Sequence, residues 1–247
     1  MSQRTLRRVA HLTLLLLIVS ALVDVIGSAT AQTRDVDRTD LRGRNSSADR
    51  LRGAWYPWDP YQYRERLALP TYQICATGDQ FFLPDSPRYY FADLPGEKYL
   101  RFVPNSDHGM ASPDAAANLI AWFRAVTQNN PRPRFYWRAD RKAGSITVRV
   151  VDAPAQVMLW QATNPKARDF RLETLGPAWT STPLTGANGI YTATVPAAEG
   201  WTAFFVELTY PGDTPLVFTT EVVVTPDVYP FDPPSTAGPP PRSESSR

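Results

Sequence analysis

At residues 131–133, Pro-Arg-Pro, the hydrophobic pattern of this chain changes its period, and that change demands a composite fold. Upstream the spacing alternates between strand and helix. Residues 72–76 are a short apolar run bounded by Pro70 and by Thr77-Gly78, which predicts a buried strand with a loop at its C-terminal end. Ser86-Pro87 supplies an N-cap and a first-turn proline for a short helix through Leu94, stopped by Pro95-Gly96. Residues 98–103 form a second strand. Ser112-Pro113-Asp114 then opens a helix with Leu119, Ile120, Phe123 and Val126 on one face, ending before Asn129-Asn130-Pro131. Strand, helix, strand, helix implies parallel strands.

Downstream the pattern is β throughout. Runs at 135–139, 145–151, 156–161, 189–195, 201–210 and 216–224 are separated by turn signals such as Lys142-Ala143-Gly144 and Pro211-Gly212-Asp213. Ile146, Val148 and Val150 alternate with Thr147 and Arg149. Six or seven strands in about 90 residues predict an immunoglobulin-like β-sandwich, without the cysteine pair of antibody domains. The fold class is therefore α/β plus all-β.

The ends of the chain carry different information. Arg4, Arg7 and Arg8 precede the apolar run 12–23, and Ala29-Thr30-Ala31 forms a small-residue cleavage box, so residues 1–32 are expected to be an export signal. The run rises about 18 Å as a helix against a hydrocarbon core of roughly 30 Å, too short to span. The expected destination is periplasmic or extracellular, with membrane contact only through the signal. Residues 33–54 are polar and charge-mixed, the composition of a disordered linker. Residues 227–247 are rich in Pro and Ser and read as an extended tail. The implied domains are a segment at 55–133 and a sandwich at 134–226.

Charge and residue usage exclude several function classes. Residues 1–32 hold three Arg and one Asp, so the remainder carries 23 basic and 23 acidic side chains and no net charge. A nucleic-acid partner calls for a basic face, which is not visible. Cys75 is the single cysteine, and beyond the signal His108 is the single histidine, which argues against an imidazole-built metal site. No cofactor or metal is expected.

Two loops hold the residues able to carry chemistry. Asp79 leaves the first strand in Gly78-Asp79-Gln80-Phe81-Phe82-Leu83-Pro84, and His108 follows the second in Asn105-Ser106-Asp107-His108-Gly109. A carboxylate that fixes an imidazole tautomer leaves the other ring nitrogen to accept a nucleophile's proton, the acid and base of a Ser-His-Asp triad. An alternative stays open, in which Asp79 makes only an Asx turn and His108 caps the helix near Ser112. Asp85 and Asp107 are rival acids; the first fits a helix entry, and the second lies too near His108. An α/β-hydrolase also needs a GxSxG turn upstream of its acid. No GxSxG occurs. Cys75 sits mid-strand, where burial leaves a thiol inert, and Ser46-Ser47 lacks a flanking strand and helix.

Four longer motifs carry a resemblance. They are Asp59-Pro60-Tyr61-Gln62-Tyr63-Arg64-Glu65-Arg66-Leu67, Ala76-Thr77-Gly78-Asp79-Gln80-Phe81-Phe82-Leu83-Pro84-Asp85-Ser86, Leu94-Pro95-Gly96-Glu97-Lys98-Tyr99-Leu100-Arg101, and Trp160-Gln161-Ala162-Thr163-Asn164-Pro165 with Arg168-Asp169-Phe170-Arg171-Leu172-Glu173-Thr174. Over residues 55–225 the chain resembles the PhoPQ-activated pathogenicity-related protein family. The resemblance implies an exported α/β-hydrolase-like catalytic domain followed by a β-rich domain, with Asp79 and His108 as counterparts of the triad acid and base. It further implies that this chain corresponds to the C-terminal third of a member, a truncated hydrolase-like sheet joined to the sandwich. The nucleophile and oxyanion donors would then come from a separately encoded N-terminal hydrolase half. Without them acyl transfer has no covalent step and no preorganised oxyanion site, so the chain is expected to be inactive alone. A binding role for the sandwich through Trp137, Trp160, Trp179 and Trp201, or a non-functional remnant, are the competing readings.

Overall fold

A computed structural model describes residues 60–110 and 112–230. The export signal, the linker, Ser46-Ser47 and nearly all of the tail lie outside the described residues. Nearly everything described belongs to one compact unit, Tyr63–Pro234.

The unit is mostly β-sheet. Strand β1 (Thr71–Ala76) pairs in parallel with β2 (Lys98–Val103), in a register that sets Thr71 beside Lys98 and Ala76 beside Val103. Helix α1 (Pro113–Thr127) follows, then β3 (Phe135–Asp140), β4 (Ser145–Val150), β5 (Gln156–Asn164) and the one-turn α2 (Leu172–Leu175). The chain continues through β6 (Thr180–Pro183), β7 (Gly186–Ala187), β8 (Ile190–Thr194), β9 (Trp201–Tyr210), β10 (Leu216–Thr219) and β11 (Val223–Thr225). One sheet runs β1-β2-β10-β9-β5-β6, with β11 also on β9; the other runs β3-β4-β8-β7.

The two halves expected from the change of period are therefore joined. β10 pairs with β9 and, at Thr219 opposite Leu100, with β2, so the parallel pair extends the larger sheet of the sandwich. Strand β9 is the centre of this arrangement. Its Phe204, Val206 and Leu208 point into the core between the sheets, with Ile146, Val148 and Phe218. Its Ala203 and Phe205 point the other way, onto Leu100, Phe102, Phe170 and Trp179. Alternation of side chains across a strand requires both faces to be covered, and both are.

Several local expectations need correction. The segment after Ser86 forms two 3-10 turns, Ser86–Tyr89 and Phe91–Asp93, and no side chain caps either one. β1 is half-buried along most of its length because it is a sheet edge. The run at 216–224 divides into β10 and β11 at residues 220–222, where Thr220 Oγ1 accepts from the Val206 amide at 3.1 Å. α1 turns the other way round: Ala115, Asn118, Trp122 and Ala125 are buried, while Leu119, Ile120 and Phe123 are exposed. The indole decides the facing, since Trp122 packs on Tyr72 at 5.5 Å between ring centroids and an indole is the largest apolar side chain the helix has to bury. Asn118 is tolerated on that face because its amide donates to the Pro215 carbonyl at 2.8 Å.

This facing makes a direct prediction. Trp122→Ala will cost about 3–5 kcal/mol in urea unfolding, whereas Ile120→Ala will stay within about 0.5 kcal/mol. Equal losses would show that the outer face is packed after all.

Candidate functional site

The parallel register carries the site. Because Ala76 and Val103 are neighbours, the loops that follow β1 and β2 leave the same end of the sheet side by side. They are tied together at once: the Thr77 amide donates to Val103 O at 3.1 Å, the Gly78 amide to Ser106 O at 2.9 Å, and the Asn105 amide to Thr77 Oγ1 at 3.0 Å. Asn105 takes a positive φ of 53°, which asparagine accepts more readily than most residues, and its side chain exchanges two 2.9 Å hydrogen bonds with the Trp179 backbone.

Asp79 and His108 meet in this frame. Asp79 Oδ2 lies 2.9 Å from His108 Nδ1. Asp79 Oδ1 accepts from the amides of Phe81 at 2.7 Å and Phe82 at 3.0 Å. Burial pushes the carboxyl upward, but those two amides and the imidazole outweigh it and leave the pKa lowered. The acid is 7% exposed and the histidine 47%. Nε2 of His108 bonds to no described residue, so the ring is anchored at one nitrogen and open at the other. Exposed Phe81 and Phe82 flank the ring at 5.0 and 5.6 Å between centroids.

The Asx turn and the imidazole contact thus coexist on one carboxylate. His108 does not cap α1; Ser112 does, accepting from the Ala115 amide at 3.3 Å. The rival acids are otherwise engaged. Asp85 forms a buried pair with Arg168 at 2.5 Å, and Asp107 accepts from the Gly109 amide at 3.0 Å. Cys75 is half-buried and its thiol is pushed up to about 11, by burial first and then by the nearby Asp79 carboxylate. Among the described residues no group of three His, Cys, Asp or Glu side chains converges as a metal site would.

Two supports were not foreseen from sequence. The Leu172 amide donates to Gly78 O at 3.0 Å, and a Cβ on Gly78 would fall 2.7 Å from that amide and 2.8 Å from Leu172 Cβ. Glycine is needed there for close approach. Arg168, on the loop before α2, reaches back 83 positions to Asp85. The motif at 168–174 therefore braces the loop that holds Asp79. Only the sharing of both stretches by one set of motifs hinted at this.

Comparison with known proteins bears on the same segment. The family model described as PhoPQ-activated pathogenicity-related protein matches residues 49–171. These findings support that family for this chain. The match contains both site loops and ends at Arg171, inside the bracing motif. The chain is also 32% identical over 203 residues to autocrine proliferation repressor protein A of Dictyostelium discoideum, covering 70% of this chain and 41% of that protein. The chain thus spans about two-fifths of that relative's length. Among solved structures, the fn3 domain of human collagen alpha-1(XX) chain aligns over 44% of this chain and 92% of its own, at 17% identity and a TM-score of 0.24.

Two outcomes are expected from this geometry. Gly78→Ala will cost about 1–3 kcal/mol through overpacking and abolish the downfield imidazole N–H signal of the His108–Asp79 hydrogen bond in proton NMR. Acid will destabilise the fold, because a carboxyl with a lowered folded pKa stabilises above its unfolded value, near 3.9 for Asp and about 4.3 for Glu, and loses that contribution as pH falls through the folded one. Asp79, Glu97, Asp169 and Asp227 all act in this direction. In Asp79→Asn the fall of the urea midpoint below about pH 4 will be shallower than in the parent; an unchanged slope would remove Asp79 from the account.

Proposed function

We propose that this chain supplies the acid and base of a serine-hydrolase triad, Asp79 and His108, and works as an exported half-site that is inactive alone. The nucleophile and oxyanion donors come from a separately encoded hydrolase half bearing GxSxG. The observation that carries this is the anchoring of His108 Nδ1 by a buried carboxylate while Nε2 stays open on an exposed ring. That is the arrangement a general base needs before its nucleophile arrives.

Features beside the pair favour a covering partner. Among the described residues β1 is a parallel edge strand with no neighbour on its far side. Phe81 and Phe82 expose 70% and 65% of their surface at the histidine, and Ile120 exposes 53% on the outer face of α1. Parallel sheets are ordinarily covered on both faces. A nucleophile-bearing half that continues the sheet past β1 would bury these side chains and bring its serine to His108.

The test is reconstitution. The chain alone is expected to show no p-nitrophenyl ester hydrolysis and no labelling by a fluorophosphonate serine probe. Mixed with the GxSxG-bearing half of a family member, it will give both, and His108→Ala or Asp79→Asn will lower kcat about 10³-fold or more without dissociating the complex. A complex that forms but never labels, or one indifferent to His108→Ala, would sink the reading.

A further inference from the structure

A second site lies at the opposite end of β2, about 17 Å of strand away by the usual rise per residue, and is independent of the triad reading. It is a cleft of about 540 Å³ lined by Lys98 and Tyr99 at the start of β2, by Arg88 and Phe91 from the 3-10 turns, and by Arg134 with residues 135–137 of β3. Its volume falls in the range of ordinary ligand sites.

The backbone of β3 gives the cleft its chemistry. Among the described residues β3 is the end strand of its sheet and pairs only with β4. The Val151 amide donates to Arg134 O at 3.0 Å, while Phe135 stands opposite Val150. In an antiparallel ladder this makes Phe135–Val150 a non-hydrogen-bonded pair, and alternation makes Trp137–Val148 and Ala139–Ile146 the same. The N–H and C=O groups of Phe135, Trp137 and Ala139 therefore point away from β4, to the free edge. Among the described residues nothing hydrogen-bonds to them. Phe135 and Trp137 line the cleft itself.

We infer that this edge binds an extended acidic peptide segment as an added β-strand. From Phe135 to Ala139 the edge runs about 14 Å, room for roughly five peptide residues. Main-chain hydrogen bonds would supply register, and alternate side chains would fall on Trp137, which is stacked with Phe91 at 5.7 Å, and on exposed Tyr136. The charge preference follows from the lining, where Arg88, Lys98, Arg134 and Arg141 outnumber Glu97 and Glu221; with Arg141 paired to Glu221, Glu97 to Arg132 and Arg88 to Asp227, Lys98 and Arg134 are the cations left for an incoming acid. Arg88 already shows the capacity for carboxylate, holding Asp227 through two bonds of 2.7 and 3.0 Å. Arg134, 66% exposed and only loosely paired with Asp152 at 3.3 Å, is the cation best placed to turn to an incoming acid.

The experiment screens the full chain against an immobilised library of capped hexapeptides, with a glycan array in parallel, and titrates the best peptide by fluorescence polarisation. Acidic peptides with alternate apolar residues are expected to bind. N-methylation of alternate peptide amides will weaken binding about tenfold in one phase and little in the other. On binding, the amides of Phe135, Trp137 and Ala139 will gain hydrogen-exchange protection, while those of Tyr136 and Arg138 will not change. Ala139→Pro, which removes an outward N–H and no ladder bond, will weaken binding about tenfold; should it unfold the chain, Arg134→Glu on the exposed rim will show the same loss. No peptide bound, binding indifferent to N-methylation, or Trp137-dependent binding of glycans in place of peptides would overturn the inference.

Discussion

The structure hangs on Thr219. It is fully buried at the one register position where β10 meets β2, opposite Leu100, and its hydroxyl accepts from the Phe102 amide at 3.1 Å. A side chain thereby substitutes for a ladder bond that the short strand does not supply. Two further links cross the same seam: Tyr72 OH donates to Val217 O at 2.8 Å, and Arg101 pairs with Glu207 on the far side of β10. Without the seam, a parallel two-stranded unit would have no sheet to belong to, and such pairs are not stable alone. With it, the loops after β1 and β2 are held beside α2, where Arg168 and Leu172 brace the first of them.

Much of this was legible where local pattern decides the outcome. Period-2 alternation located β4 within a residue, since Ile146 and Val148 are fully buried and Thr147 and Arg149 are not. The loop positions of Asp79 and His108 followed from strand boundaries alone. What stayed hidden depended on partners distant in sequence. Nothing near Leu119, Ile120 and Phe123 reveals that Tyr72 will accept Trp122 and so turn the helix over. Nothing near Gly78 reveals that Leu172 will press against it. The division of 216–224 into β10 and β11 likewise follows from Thr220 satisfying Val206 on another strand, which no local propensity contains.

The site itself illustrates why a functional and a structural reading of one residue need not compete. A carboxylate offers about four lone-pair positions on two oxygens. Asp79 uses Oδ1 to close its own turn and Oδ2 to hold His108. The turn bonds fix the carboxylate's rotamer, which in turn fixes the ring. The bonds that make Asp79 look like ordinary turn chemistry are the ones that pre-organise it, so removing the turn amides would loosen the imidazole as surely as removing the acid.

The edges of the two sheets differ in a way that ties both sites together. Exposed strand edges invite pairing, and proteins blunt them by shortness, proline or charge. β6 is four residues long and ends in Pro183; β7 has two residues; β11 has three and is followed by Pro226. β1 and β3 are the exceptions, each six residues long and free of proline and glycine. β1 carries no charge at all. One of these open edges runs up to the loop bearing Asp79, and the other lines the cleft at the far end of β2. Shortness and proline thus blunt β6, β7 and β11 and are missing at β1 and β3, a distribution that follows if β1 and β3 are surfaces on which other polypeptide is meant to pair.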